Sequence, residues 1–138
     1  LSFRTPNTFT IKRIDTSPRA FSAAFTIDNQ AYIVGGDMGN KCTNELLSYI
    51  PSSDEWVSLV PYKAAYSNLT ACVSNNSVYV IGGTDKQNAV DDFVKYDYNS
   101  NSWNNALQSI PTARYNGISF AFKDSIYFVG GQNNLESS

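Results

Sequence analysis

A Gly-Gly pair occurs at positions 35-36, 82-83 and 130-131, in steps of 47 and 48 residues. Each pair closes a short apolar run: residues 31–34, 78–81 and 126–129. Tyr32, Tyr79 and Tyr127 stand three residues before the first glycine every time. A period of this length constrains the chain to a repeat architecture, because one such unit cannot bury its own apolar face and must stack on a neighbour.

The periodicity continues past the glycines. Tyr49 and Tyr96 lie 13 residues beyond Gly36 and Gly83, and Trp56 and Trp103 follow them by seven. Pro18, Pro61 and Pro111 close successive units, and Arg19 and Arg114 each precede the first glycine of their repeat by 16 residues. Within the first full unit the pattern predicts strands over 21–27, 30–35, 45–50 and 55–60. In the second it predicts 68–73, 77–82, 91–97 and 102–108. We label these A to D. The A-to-B turns, Asp28-Asn29, Asn75-Asn76 and Lys123-Asp124, are rich in Asn and Asp, which tolerate the positive φ of tight hairpins. Pro51–Asp54 and Asn99–Asn101 do the same between C and D. The glycines Gly35, Gly36, Gly82, Gly83, Gly130 and Gly131 let strand B end with unusual φ beside a large neighbour. Tyr49, Trp56, Tyr96 and Trp103 are read as structural fillers of the wedge between adjacent units.

An apolar strand, a turn, a strand ending in Gly-Gly, then Tyr and Trp at fixed spacing: this pattern resembles the kelch repeat, over about Phe9 to Gln132. The resemblance implies an all-β fold of kelch-type β-propeller blades, each of four antiparallel strands. Residues 1–17 then hold strand D of a preceding blade, at 8–14, with Phe9 in the place of Trp56 and Trp103. Residues 18–61 form repeat 1, 62–111 repeat 2, and 112–138 the first half of repeat 3. That gives about eleven strands, under three blades, whereas propellers close with roughly four to eight. The ring is therefore incomplete. The chain begins at Leu1 rather than Met, and the expectation is a portion of a longer polypeptide that supplies the remaining blades. Completion by other subunits is the alternative.

The chain contains no histidine. A Ser-His-Asp or Cys-His catalytic arrangement within it is excluded, as is the histidine-ligated copper of the oxidases that some kelch propellers resemble. Cys42 and Cys72 occupy non-equivalent repeat positions and are read as free thiols, so neither a metal nor a cofactor is expected. Gly35–Gly39 is a weak likeness of a phosphate loop, and the repeat explains it. With ten basic and twelve acidic residues and no basic stripe, nucleic-acid binding is not expected, and no apolar run is long enough to span a membrane. The expected compartment is the cytoplasm. Secretion is the alternative, with sequons at Asn68 and Asn75.

A meander of four strands sends the D-to-A and B-to-C loops to one face of the blades. That face gathers Arg19, Asp37, Met38, Lys41, Tyr62, Lys63, Tyr66, Asp85, Lys86, Arg114 and Tyr115. Tyr and Arg are enriched at interaction hot spots, and loops on a rigid scaffold carry function. The face resembles the peptide-binding side of BTB-kelch ubiquitin-ligase adaptors, though no BTB segment is present. The sequence thus reads as a protein-interaction module, a scaffold or adaptor whose partner is a protein or peptide, rather than an enzyme. The alternative is a carbohydrate-active or other enzyme propeller whose site is completed by blades absent from this chain, with carboxylates such as Asp37, Asp85, Asp91 and Asp92 in acid–base roles.

Overall fold

A computed structural model describes the backbone of residues 2–4 and 8–10, and residues 17–133 in full. Among the described residues there are twelve strands and no helix. β1 (Ser2–Arg4) pairs antiparallel with β2 (Thr8–Thr10). β3 (Ala23–Ile27), β4 (Gln30–Val34), β5 (Leu46–Ile50) and β6 (Glu55–Ser58) form a four-stranded antiparallel meander, the first blade. β7 (Thr70–Ser74), β8 (Ser77–Ile81), β9 (Phe93–Asp97) and β10 (Ser102–Asn104) repeat it as the second. β11 (Tyr115–Phe122) and β12 (Ser125–Gln132) form an A–B pair.

The strand ends follow from local chemistry. Asp28 and Asn29 take φ of 51° and 58°, and Asn75 and Asn76 take 47° and 57°, two successive left-handed residues as a type I′ hairpin requires. Strand B stops at Gly35 and Gly82, which adopt φ of 66° and 62°. The expected A strands begin late: Phe21 and Asn68 sit at φ 57° and 56°, outside extended geometry. The expected D strand over 102–108 is only three residues long, because the Asn104 side chain accepts the Ala106 N–H and turns the chain out of the ladder.

The count of about eleven strands needs correction. β1 was missed because it is three residues long and followed closely by Pro6. Its pairing is informative: Phe3 lies opposite Phe9 just as Tyr49 lies opposite Trp56 and Tyr96 opposite Trp103. β1 and β2 therefore pair as a C–D set. The expected strand over 8–14 is seen at 8–10, and residues 11–16 lie outside the described residues.

The core lies between the two complete blades. Alternation along β3 buries Ala23, Phe25 and Ile27 and leaves Ala24 and Thr26 exposed. Phe25 stacks on Tyr32 with ring centroids 4.9 Å apart, and both rings meet Tyr96 of the second blade. Val78, Val80 and Val94 are fully enclosed on the same junction. Each such side chain contributes roughly 1.5–3 kcal/mol by leaving water. Trp103 closes the wedge, packing on Tyr62 and Tyr96 and donating its ring N–H to the Val60 carbonyl at 3.1 Å.

Candidate functional site

The D-to-A and B-to-C loops share one face and are knitted there by backbone hydrogen bonds. Ala20 and Asp37 exchange two bonds across the first blade, and Ser67 and Thr84 do the same across the second. Between blades, the Gly36 N–H donates to the Tyr66 carbonyl at 2.8 Å and the Gly83 N–H to the Arg114 carbonyl at 2.9 Å. The glycines are needed for this approach. A Cβ on Gly35 would stand 2.6 Å from the Tyr66 carbonyl oxygen, and one on Gly82 2.3 Å from that of Arg114.

A cleft of about 310 Å³ opens between these loops. Of the residues expected at the binding face, Asp37, Lys86 and Tyr115 line it, together with Ser67, Asn68, Thr84 and Asn88 among others. Lys86 bridges the blades: its ammonium lies 2.7 Å from the Asp37 carboxylate and donates to the Gly39 carbonyl. That bond, with the Gly39 N–H, holds the Asp37 carboxyl below the usual range. The Asp85 carboxyl is likewise lowered, here by the N–H groups of Asn88 and Gln87 in its own turn. Both carboxylates stay ionised and serve as turn caps, the reverse of the raised pKa an acid catalyst needs. Met38 and Lys41 shape the first B-to-C loop, where the Met38 N–H donates to the Lys41 carbonyl, and the Lys41 side chain is exposed.

Several expected face residues play other parts. Tyr62 is buried at 1 % exposure, so it is a core residue and not a surface contact. Its hydroxyl donates to Asp92, and burial, then the charge of Asp92, pushes that hydroxyl far up. Lys63 completes the clamp on Asp92 at 2.6 Å, which leaves Asp92 occupied structurally. Arg19 also departs from expectation: its side chain is 6 % exposed and pairs with Glu45 within its own blade. Arg114 donates to the carbonyl of Gly130 at 3.2 Å. Tyr66 is half-buried against Tyr62. Sequence reasoning missed Ser67, which lies 15 residues before Gly82 and carried no signal, whereas Thr84 and Asn88 belong to the second B-to-C loop already expected on the binding face, though neither was singled out there. Asn68 was read as a sequon and as the start of a strand, not as a face residue. Cys42 and Cys72 are free and buried, the Cys42 thiol donating to Ser67 or the Thr84 carbonyl. No group of three or more His, Cys, Asp or Glu that could hold a metal forms among the described residues. No helix there is long and apolar enough to cross a membrane.

Two whole blades, paired glycines under a neighbour's carbonyl and a Tyr–Trp wedge are joined by a direct sequence match. Residues 2–131 fit the sequence model of the KLHDC2/KLHL20/DRC7 Kelch-repeats domain. The chain belongs to the kelch-repeat family. It is 28% identical over 120 residues to human Kelch-like protein 23, covering 85% of this chain and 21% of that protein. It is 27% identical over 120 residues to Kelch repeat protein C2 of vaccinia virus (strain Western Reserve), covering 86% and 23%. With Kelch repeat protein M-T9 of myxoma virus (strain Lausanne) it shares 30% identity over 140 positions, covering 94% and 26%. This kelch chain thus spans about a quarter or less of the length of the relatives it matches.

Proposed function

We propose that the chain acts as a protein-interaction module and presents its B-to-C and D-to-A loops to a peptide or protein segment. The observation that carries this reading is the cleft between the two blades, where a cation and an anion from different repeats and the Tyr115 ring converge on a rigid backbone framework. A paired but accessible Lys86 and Asp37 can exchange partners with the backbone or side chains of an extended peptide. Tyr115 adds a large contact surface at little conformational entropy. Among the described residues the opposite face has only two-residue and four-residue turns, with far less area to offer.

The test is selection of peptides from a displayed library on the immobilised chain, followed by calorimetry on the enriched sequences. Lys86→Ala and Tyr115→Ala should each weaken binding about tenfold, on the order of the 1–2 kcal/mol typical of a contributing interface residue. Asn29→Ala, on the opposite face, should leave binding unchanged. Equal affinity for all four proteins would exclude this face.

A further inference from the structure

The two B-to-C loops, 36–44 and 84–90, each carry one aspartate and one lysine: Asp37 with Lys41, and Asp85 with Lys86. The cleft between the blades is therefore close to neutral. Among the described residues only two charged side chains line it, Asp37 and Lys86. They come from different repeats and hold each other at 2.7 Å while remaining 24 % and 34 % exposed. Neither is used up. An ammonium has three protons. Two of the Lys86 protons go to the Asp37 carboxylate and the Gly39 carbonyl, so one is left. On Asp37, Oδ1 takes both that bond and the Gly39 N–H, and Oδ2 accepts nothing among the described residues. The pair thus offers the cleft one donor and one acceptor side by side. The rest of the lining is uncharged and rich in amides, from Asn68, Gln87 and Asn88, with Tyr115 beside them.

We infer, resting on the reading that this cleft holds a peptide segment, that the group received there is the uncharged carboxamide of a Gln or Asn side chain. A carboxamide carries an accepting carbonyl and a donating NH2 in one plane. Its oxygen takes the remaining Lys86 proton and its NH2 gives to Asp37 Oδ2. Both ends of the pair are then served and the 2.7 Å contact stays intact. A carboxylate meets Lys86 favourably but lies against Asp37. To escape that repulsion it must displace Asp37, which then loses its counter-charge. A lysine or arginine meets the mirror-image problem at Lys86. Like charges brought together at a contact cost more than one new hydrogen bond returns. An apolar side chain covers the two remaining positions and leaves them unbonded. The framework keeps the pair where it is. The Asp37 backbone exchanges two bonds with Ala20, and the Thr84 hydroxyl accepts the Lys86 N–H at 3.0 Å. Lys86 is tied to the first blade twice, through Asp37 and through the Gly39 carbonyl. A pair fixed in this way selects by exclusion, because each charge rejects the ligand that the other attracts.

The test starts from peptides selected on the immobilised chain whose affinity falls with Lys86→Ala. The peptide residue coupled to Lys86 is located by double-mutant cycles. That position is then made as Gln, Ala, Glu and Lys for calorimetry. The Gln form should bind about tenfold tighter than the other three, and its affinity should change little with salt. Two substitutions should move the preference in opposite directions. Asp37→Asn keeps an oxygen for the Gly39 N–H but leaves Lys86 without its anion, and should favour the Glu form. Lys86→Met leaves Asp37 without its cation, and should favour the Lys form. The inference is overturned if the unaltered chain prefers Glu or Lys at that position, if Ala serves as well as Gln, or if either substitution leaves the preference where it was. In those cases peptides still bind and the interaction module stands. The absence of any peptide sensitive to Lys86→Ala overturns both.

Discussion

Glycine at equivalent positions does unequal work. Gly82 combines φ of 62° with a Cβ site 2.3 Å from the Arg114 carbonyl, so Gly82→Ala must both strain the residue and push two blades apart. We expect it to cost about 3 kcal/mol in denaturant unfolding. Gly130→Ala meets only the left-handed backbone and should cost about 1 kcal/mol. The carboxylates give a pH signature. Asp37, Asp85 and Asp97 all have lowered pKa, from Lys86 with the Gly39 N–H in the first case and from turn N–H groups in the others. A lowered folded-state pKa stabilises above the unfolded value, near 4, and that contribution is lost as pH falls through the folded value. Unfolding midpoints should therefore decline below about pH 4, and salt should weaken the Asp37 part because the pair with Lys86 is exposed. The glycine and aspartate positions were legible in the sequence. The Lys86 bridge was not, because its two ends lie in different repeats and nothing in their spacing joins them.

At the scale of elements, the same repeat position carries different weight in different blades. Trp103 is wedged between Tyr62 and Tyr96 and bonded to Val60, across the seam of two blades. Trp56 contacts Tyr49 within its own blade. Trp103→Ala should cost about 3 kcal/mol and Trp56→Ala markedly less, when both are measured at low protein concentration by thermal unfolding. The strand pattern was readable because alternation and Asn- or Asp-rich turns mark each hairpin. The misreadings were at strand ends, where single residues decide: Phe21 and Asn68 leave extended geometry, and Asn104 caps the chain away from β9. Tyr62 was misplaced for a related reason. A tyrosine just after a blade-closing proline looks like a loop residue, but the Tyr62 N–H bonds to the Asn44 carbonyl and its ring turns inward to Asp92 and Trp103.

For the whole molecule, stacked repeats are stabilised by their seams, so a unit covered on one side opens first. Amide exchange should be slowest in β8 and β9, enclosed between neighbours, and fastest in β11 and β12. The sequence by itself determined the repeat, its blades and their glycine, tyrosine and tryptophan framework. It could do so because those are set by local periodicity and by conformations only certain residues adopt. Tertiary structure alone decided which face residues are free and which are spent. Arg19 and Tyr62 are drawn inward by Glu45 and Asp92, Lys86 is drawn across to Asp37, and the A–B pair is left with its apolar side open. Those outcomes depend on distances between repeats, and a linear chain does not contain them.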